Sequence, residues 1–320
     1  MARALATLPK AHLHLHFTGS MRHPTLVELA RERGVNLPEA LAAAWPPRLR
    51  GTDEPAVFRL LRETAEDERA DGSGWLEIQV DPSGYGGRFG GLTPTVELVL
   101  AAARAASDAT GVGIGVIIAA NRTKHPLEAR TLARLAGQYA GRGVVGFGLS
   151  NDERRGHARD FAPAFRIADR AGLLLAPHGG ELAGPDSVRA CLDDLQAHRI
   201  GHGVAAANDP DLTKRLAAAG ITLEVCPTSN VALGVAAKPA DVPLCALLDA
   251  GVPVALGADD PLLFGSRLTA QYELARAVFG LADADIAELA RTSVRCSAAP
   301  PATAAALLAG IDAWLAAPDS

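Results

Sequence analysis

Basic residues are the first thing this sequence is short of. Lys and Arg number 31 against 36 Asp and Glu, giving a formal net charge of −5 over 320 residues. A protein that grips nucleic acid or an anionic membrane carries a basic surplus or patch, so neither partner is expected. Cysteine is sparse too: Cys191, Cys226, Cys245 and Cys296 stand apart, with no C-x-x-C pair. That excludes a zinc knuckle or a thioredoxin-type pair and reads as buried thiols in a reducing compartment. No apolar run approaches the roughly 20 residues that cross a bilayer. Met1–Lys10 lacks the apolar stretch of a secretory signal, and the cytoplasm is the expected location. Phosphate-cradling glycine patterns are missing as well. No G-x-G-x-x-G follows the first apolar run, and no G-x-x-x-x-G-K-[ST] occurs anywhere.

What is present is alternation. With 48% hydrophobic and 21% charged residues the chain has material for a sizeable core. Short apolar runs predict strands at Ala11–Phe17, Trp75–Val80, Gly113–Ala119, Val144–Leu149, Gly172–His178, Arg199–His202, Ile221–Cys226 and Pro253–Gly257. Helical spacing separates most of them. Pro94–Ala109 places Val96, Val99, Leu100 and Ala103 on one face, and Pro126–Ala140 does so with Leu127, Thr131, Leu132 and Leu135. Pro210–Ala219, Val242–Ala250 and Leu268–Val278 behave alike. Such alternation implies parallel strands with helical crossovers, and eight units close into a (β/α)8 TIM-type barrel. No linker or low-complexity tract interrupts the chain, so 1–320 reads as one domain. A last helix, from Pro300-Pro301 to about residue 316, reads as a C-terminal cap. An open doubly wound sheet shares this alternation, but it would gather its ligand at one switch point behind a glycine loop.

Polar clusters stand at the ends of four of these runs. His14 and His16 are two apart in a strand and project together, with His12 one step deeper on the same face. His178 ends a leucine-rich run and is followed by two glycines and Glu181. His202 lies between Gly201 and Gly203, and Asp259-Asp260 follow the last run. Each alone has a bland reading: a packed imidazole, or a carboxylate capping the next helix. In a barrel all four fall on the catalytic rim. Imidazoles with a carboxylate and no thiolate suit Zn2+ with a position left for water, although iron, cobalt and manganese take similar donors. Glu181, three residues past His178, is placed to exchange protons.

The stretches Pro9-Lys10-Ala11-His12-Leu13-His14-Leu15-His16, His178-Gly179-Gly180-Glu181, Arg199-Ile200-Gly201-His202-Gly203, Glu224-Val225-Cys226-Pro227-Thr228-Ser229-Asn230 and Leu256-Gly257-Ala258-Asp259-Asp260-Pro261 occur in this order. Together they resemble the adenosine deaminase family of the amidohydrolase superfamily. The resemblance implies one Zn2+ per chain on His14, His16, His178 and Asp259. It implies Glu181 protonating purine N1, His202 orienting the attacking water and Asp260 hydrogen-bonded to N7. The implied substrate is a small purine nucleoside: adenosine or deoxyadenosine, converted to the 6-oxo product with release of ammonia. A binuclear relative would need a lysine at the end of the fourth strand, and Lys10, Lys124, Lys214 and Lys238 all lie elsewhere.

The chain departs from the family on the sugar side. Thr18-Gly19 stands where the family usually has Asp-Gly near the ribose. Gly148 and Asn151 occupy the region that usually offers an Asp and a purine-reading Gly. Thr18, Gly19, Asn151 and Asp260 are thus the expected substrate contacts. The segment Gly51–Trp75 is short, with one helix expected over Asp53–Asp71 and a truncated lid. A 5′-extended substrate such as 6-amino-6-deoxyfutalosine, or free adenine, is the alternative these departures raise. A purine-binding protein without turnover is a further one.

Overall fold

The eight apolar runs form a parallel sheet that curls round to meet itself. A computed structural model describes residues 3–34, 37 and 54–318. The strands are β1 (Lys10–His16), β2 (Ser73–Val80), β3 (Gly113–Asn121), β4 (Val144–Ser150), β5 (Leu174–Gly179), β6 (Arg199–His202), β7 (Thr222–Val225) and β8 (Val254–Leu256). Each pairs in parallel with the next along the chain. The seam between β8 and β1 is closed by backbone just past β8. Leu15 faces Asp259, the His16 N–H donates to the Asp259 carbonyl, and the Asp259 N–H donates to the His14 carbonyl, both at 3.0 Å. This is the TIM-type barrel that the alternation implied.

Local chemistry sets the boundaries. The helix Pro210–Ala219 begins where the Asp209 carboxylate accepts from the Leu212 N–H, with Pro210 needing no donor of its own. It ends at Gly220, whose φ of 65° closes the last turn. The fifth strand starts at Leu174, two residues later than its apolar run, because Gly172 at φ 75° turns the chain out of the helix Ala162–Arg170. The helix Leu92–Thr110 buries Val96, Val99, Leu100 and Ala103 as expected. In Pro126–Gln138 the buried stripe is instead Ala129, Leu132, Ala133, Leu135 and Ala136, and Leu127 is exposed.

The final helix, Pro301–Ala316, packs at the end of the barrel where the strands begin. The Trp314 indole N–H donates to the Ala4 carbonyl, and Leu307 lies against Gly74 so closely that a Cβ there would come within 2.6 Å of it. The opposite end, where the strands finish, is left for the polar clusters. Within the short segment Gly51–Trp75 one helix, Glu54–Ala70, forms where one was expected; residues 51–53 lie outside the described residues. Among the described residues no helix is long and apolar enough to cross a membrane.

Candidate active site

Four donor side chains meet at the strand ends. His14 and His16 come from β1, His178 from β5 and Asp259 from the turn after β8, and one ligand atom of each lies within 4.8 Å of all the others. His16 Nε2 is 3.2 Å from His178 Nε2 and 3.1 Å from Asp259 Oδ1, and His14 Nε2 is 3.6 Å from the same oxygen. His14 Nε2 is buried with no hydrogen-bond partner in the protein. Such convergence of nitrogen lone pairs on a carboxylate, with buried atoms left over, is costly unless a cation lies among them. Protonation tells the same story. Burial holds His178 well below the ordinary histidine range, so it is neutral, the form that binds metal. Burial also lowers His14, but the carboxylates of Asp259 and Glu224 outweigh it and lift the group to about 10: this position calls for positive charge. The donor set fits a divalent cation.

Glu181 and His202 face the same point. Their Oε1 and Nε2 atoms are 3.5 Å apart, and His202 Nε2 is 4.0 Å from Asp259 Oδ2. Burial first, and the Asp259 charge second, push the Glu181 carboxyl up to about 8. Burial holds His202 down at about 3. The pair therefore stands at neutral pH as a protonated acid beside a neutral imidazole. Burial also raises Asp260 to about 7, and its Oδ1 is buried without a protein partner. His202 and Asp259 adopt left-handed backbone, φ 61° and 62°, as does Asn151 at 76°. Non-glycine residues keep such angles only where their surroundings enforce them.

The cluster forms the inner end of a cavity of about 490 Å3, within the range that holds a drug-sized ligand. Thr18 and Asn151 line it, as the sequence suggested, and so do Gln79, Tyr85, Thr123 and Arg155. Gly19 does not line it. A Cβ at Gly19 would come within 1.7 Å of Asp260 Oδ1, so this glycine makes room for the carboxyl.

The residues behind the donors were not assigned roles from sequence. Glu224 Oε2 lies 2.8 Å from His14 Nδ1 and fixes which nitrogen faces the cluster. Arg199 holds Glu224 from below through Nε at 2.7 Å and reaches Glu77 Oε2 with Nη2. Ser229 Oγ donates to Asp259 Oδ2 at 2.6 Å. His12 points away from the cluster, its Nδ1 2.7 Å from Glu68, while its Nε2 accepts from the Ala258 N–H. The available signal was a single charge inside an apolar barrel strand, as in Trp75-Leu76-Glu77-Ile78, which is tolerable only when paired.

Comparison with known proteins agrees. The family model described as adenosine deaminase matches residues 9–55 and 49–314. A putative adenosine/adenine deaminase of Streptomyces virginiae is 64% identical, covering 98% of both chains. An adenine deaminase of Rhizobium johnstonii is 36% identical over 95% of this chain and 99% of its own. Among solved structures, the adenine deaminase of Arthrobacter aurescens superposes with TM-score 0.88 at 29% identity, covering 97% of this chain and 99% of its own. An amidohydrolase of Burkholderia ambifaria with bound Zn gives 0.89 at 25%, covering 97% and 91%. Arabidopsis ADAL complexed with IMP gives 0.84 at 26%, covering 97% of both. The chain belongs to the adenosine deaminase family of the amidohydrolase superfamily, and is a hydrolytic deaminase of purines.

Proposed function

We propose that this deaminase acts on a 6-aminopurine nucleoside, adenosine or deoxyadenosine in the simplest case, with Zn2+ held by His14, His16, His178 and Asp259. The observation behind this reading is the meeting of those four donors with Glu181 and His202 at the inner end of one cavity. A bound ion supplies a nucleophilic water at neutral pH. The side chains do the rest. Glu181, protonated, gives its proton to ring N1, so the electrons displaced as water oxygen bonds C6 come to rest on a neutral nitrogen. His202, held neutral, accepts a hydrogen bond from that water and aims it at C6. Asp260, whose carboxyl burial raises to about 7, donates to N7 in its protonated form and fixes the ring plane. The C6–O bond forms as the water gives one proton to His202; that proton passes to the exocyclic nitrogen, the C6–N bond breaks with its electron pair leaving on ammonia, and the C6 hydroxyl proton returns to Glu181 to leave the 6-oxo product.

The cavity exceeds what a bare purine fills, which favours a nucleoside over free adenine. A second reading rests on its outer end. The cavity reaches Thr123, Asp152 and Arg155, and Thr18 stands where the family's usual carboxylate would meet the ribose. This favours a 5′-extended nucleoside such as 6-amino-6-deoxyfutalosine. Ammonia release from adenine, adenosine and a 5′-substituted adenosine, compared as kcat/KM with zinc-loaded protein, tests both. Adenosine is expected to exceed adenine by at least tenfold, and a still higher value for the 5′-substituted compound selects the second reading. No turnover of any 6-aminopurine overturns both.

A further inference from the structure

Glu181 is carried by backbone that belongs to no strand or helix. After β5 ends at Gly179, the chain runs through 180–184 before the helix Pro185–Asp193 begins. Four consecutive N–H groups in this stretch point one way, and one side chain receives them all. Glu153 Oε1 accepts from the Gly180 N–H, and Oε2 accepts from Glu181 at 2.9 Å, Leu182 at 2.7 Å and Ala183 at 2.9 Å. Ser187 Oγ, one turn into the following helix, also donates to Oε1. The Glu153 side chain comes from the neighbouring β4 exit, in the short turn Glu153–Arg155, and is only 6% exposed.

A buried carboxylate accepting several N–H groups is a strong and directional restraint. Its charge is answered by Arg122, a buried guanidinium from the end of β3, whose Nη2 donates to the His178 carbonyl at 2.5 Å. One side chain therefore holds the His178 carbonyl, one residue before the strand ends, and the other holds four of the five N–H groups of 180–184. The turn itself has little freedom of its own. Gly180 has φ 70°, and a Cβ there would come within 2.3 Å of Val188 Cγ2.

We propose that Glu153 is a positioning residue for turnover: its buried carboxylate gathers the backbone N–H groups of residues 180–183 and so fixes where the Glu181 carboxyl stands over the purine ring. The inference rests on the assignment of Glu181 as the acid. It differs from a purely structural role in one respect, since its effect passes through Glu181. A misplacement near 1 Å at a reacting group costs about 100-fold.

The test is a double-mutant cycle on zinc-loaded protein. Glu153→Gln keeps the size of the side chain but replaces one acceptor oxygen with an amide that donates. It is expected to lower kcat about 100-fold with KM within about threefold, and to leave zinc content unchanged. In the Glu181→Gln background, followed for hours at high enzyme concentration, the same change is expected to cost less than about threefold. Equal losses in both backgrounds, or wild-type kcat in Glu153→Gln, overturn the proposal. Should Glu153→Gln fail to fold, Ser187→Ala serves in its place: it removes one donor to Glu153 and is expected to lower kcat only when Glu181 is present, with an equal loss in both backgrounds again the overturning result. Retained activity in Glu181→Gln alone would instead sink the acid assignment, an outcome visible before Glu153 is touched.

Discussion

At the inner end of the cavity His14, His178, His202 and Asp259 are each no more than 4% exposed, and a further side chain or a backbone pair fixes most of them. At the outer end Thr18, Asn151 and Asp152 are half-buried and Arg155 is exposed; Thr18 is met by the Tyr85 hydroxyl only at 3.4 Å. The inner end must hold like-charged and lone-pair-bearing atoms together, so it depends on a surrounding layer for its geometry. The outer end is more open, and its side chains are tied to near neighbours rather than to a second buried layer, as Asp152 is to Arg154. On the proposed function, reaction type rests on the buried, braced residues and substrate choice on the more open ones.

If that contrast is right, the largest loss follows removal of an inner donor. His178→Ala is expected to reduce zinc from one per chain to near none by elemental analysis and to abolish turnover. Unchanged zinc content would take His178 out of the donor set. Removing a support behind a donor should cost less. Glu224→Gln leaves His14 in place but loses the carboxylate that orients it, and zinc affinity should fall about 10- to 100-fold in a chelator competition. An effect no larger than that of an outer-end variant would erase the distinction between the two ends. The smallest effect belongs to the mouth. Thr18→Ala should leave zinc content unchanged and alter kcat/KM about two- to tenfold, the scale of one ordinary hydrogen bond. A loss as large as that of a metal ligand would show that the mouth is as tightly specified as the floor.

The same contrast explains what the sequence disclosed. The barrel was legible because eight apolar runs alternate with helical spacing, and the donors because imidazoles at the ends of apolar strands are conspicuous. Their supports were not. Glu224 lies 210 residues from His14, and Glu153 is embedded in Asn151-Asp152-Glu153-Arg154-Arg155, which reads as a solvated charge run. Nothing local distinguishes Glu153, buried under four N–H groups, from Arg154 beside it, which is exposed. Gly19 was placed against substrate because Thr18-Gly19 stands where the family has Asp-Gly, but a residue without a side chain often marks where some other group needs space. Leu127 and Thr131 were assigned to the buried face by spacing alone, but both are exposed, and Ala129, Ala133 and Ala136 pack inward beside Leu132 and Leu135.

The seam of the barrel carries one more consequence. The backbone of His14, His16 and Asp259 makes the hydrogen bonds that join the first strand to the chain beyond the last, and just beneath them His12 accepts from Ala258, 246 residues away. The side chains of the same three residues meet in the donor cluster. Three of the four clustered side chains thus stand at this join, and only His178 comes from elsewhere, on β5. A chain without this seam lacks three of the four donors together, so an ion held by them would bridge the join and resist its opening.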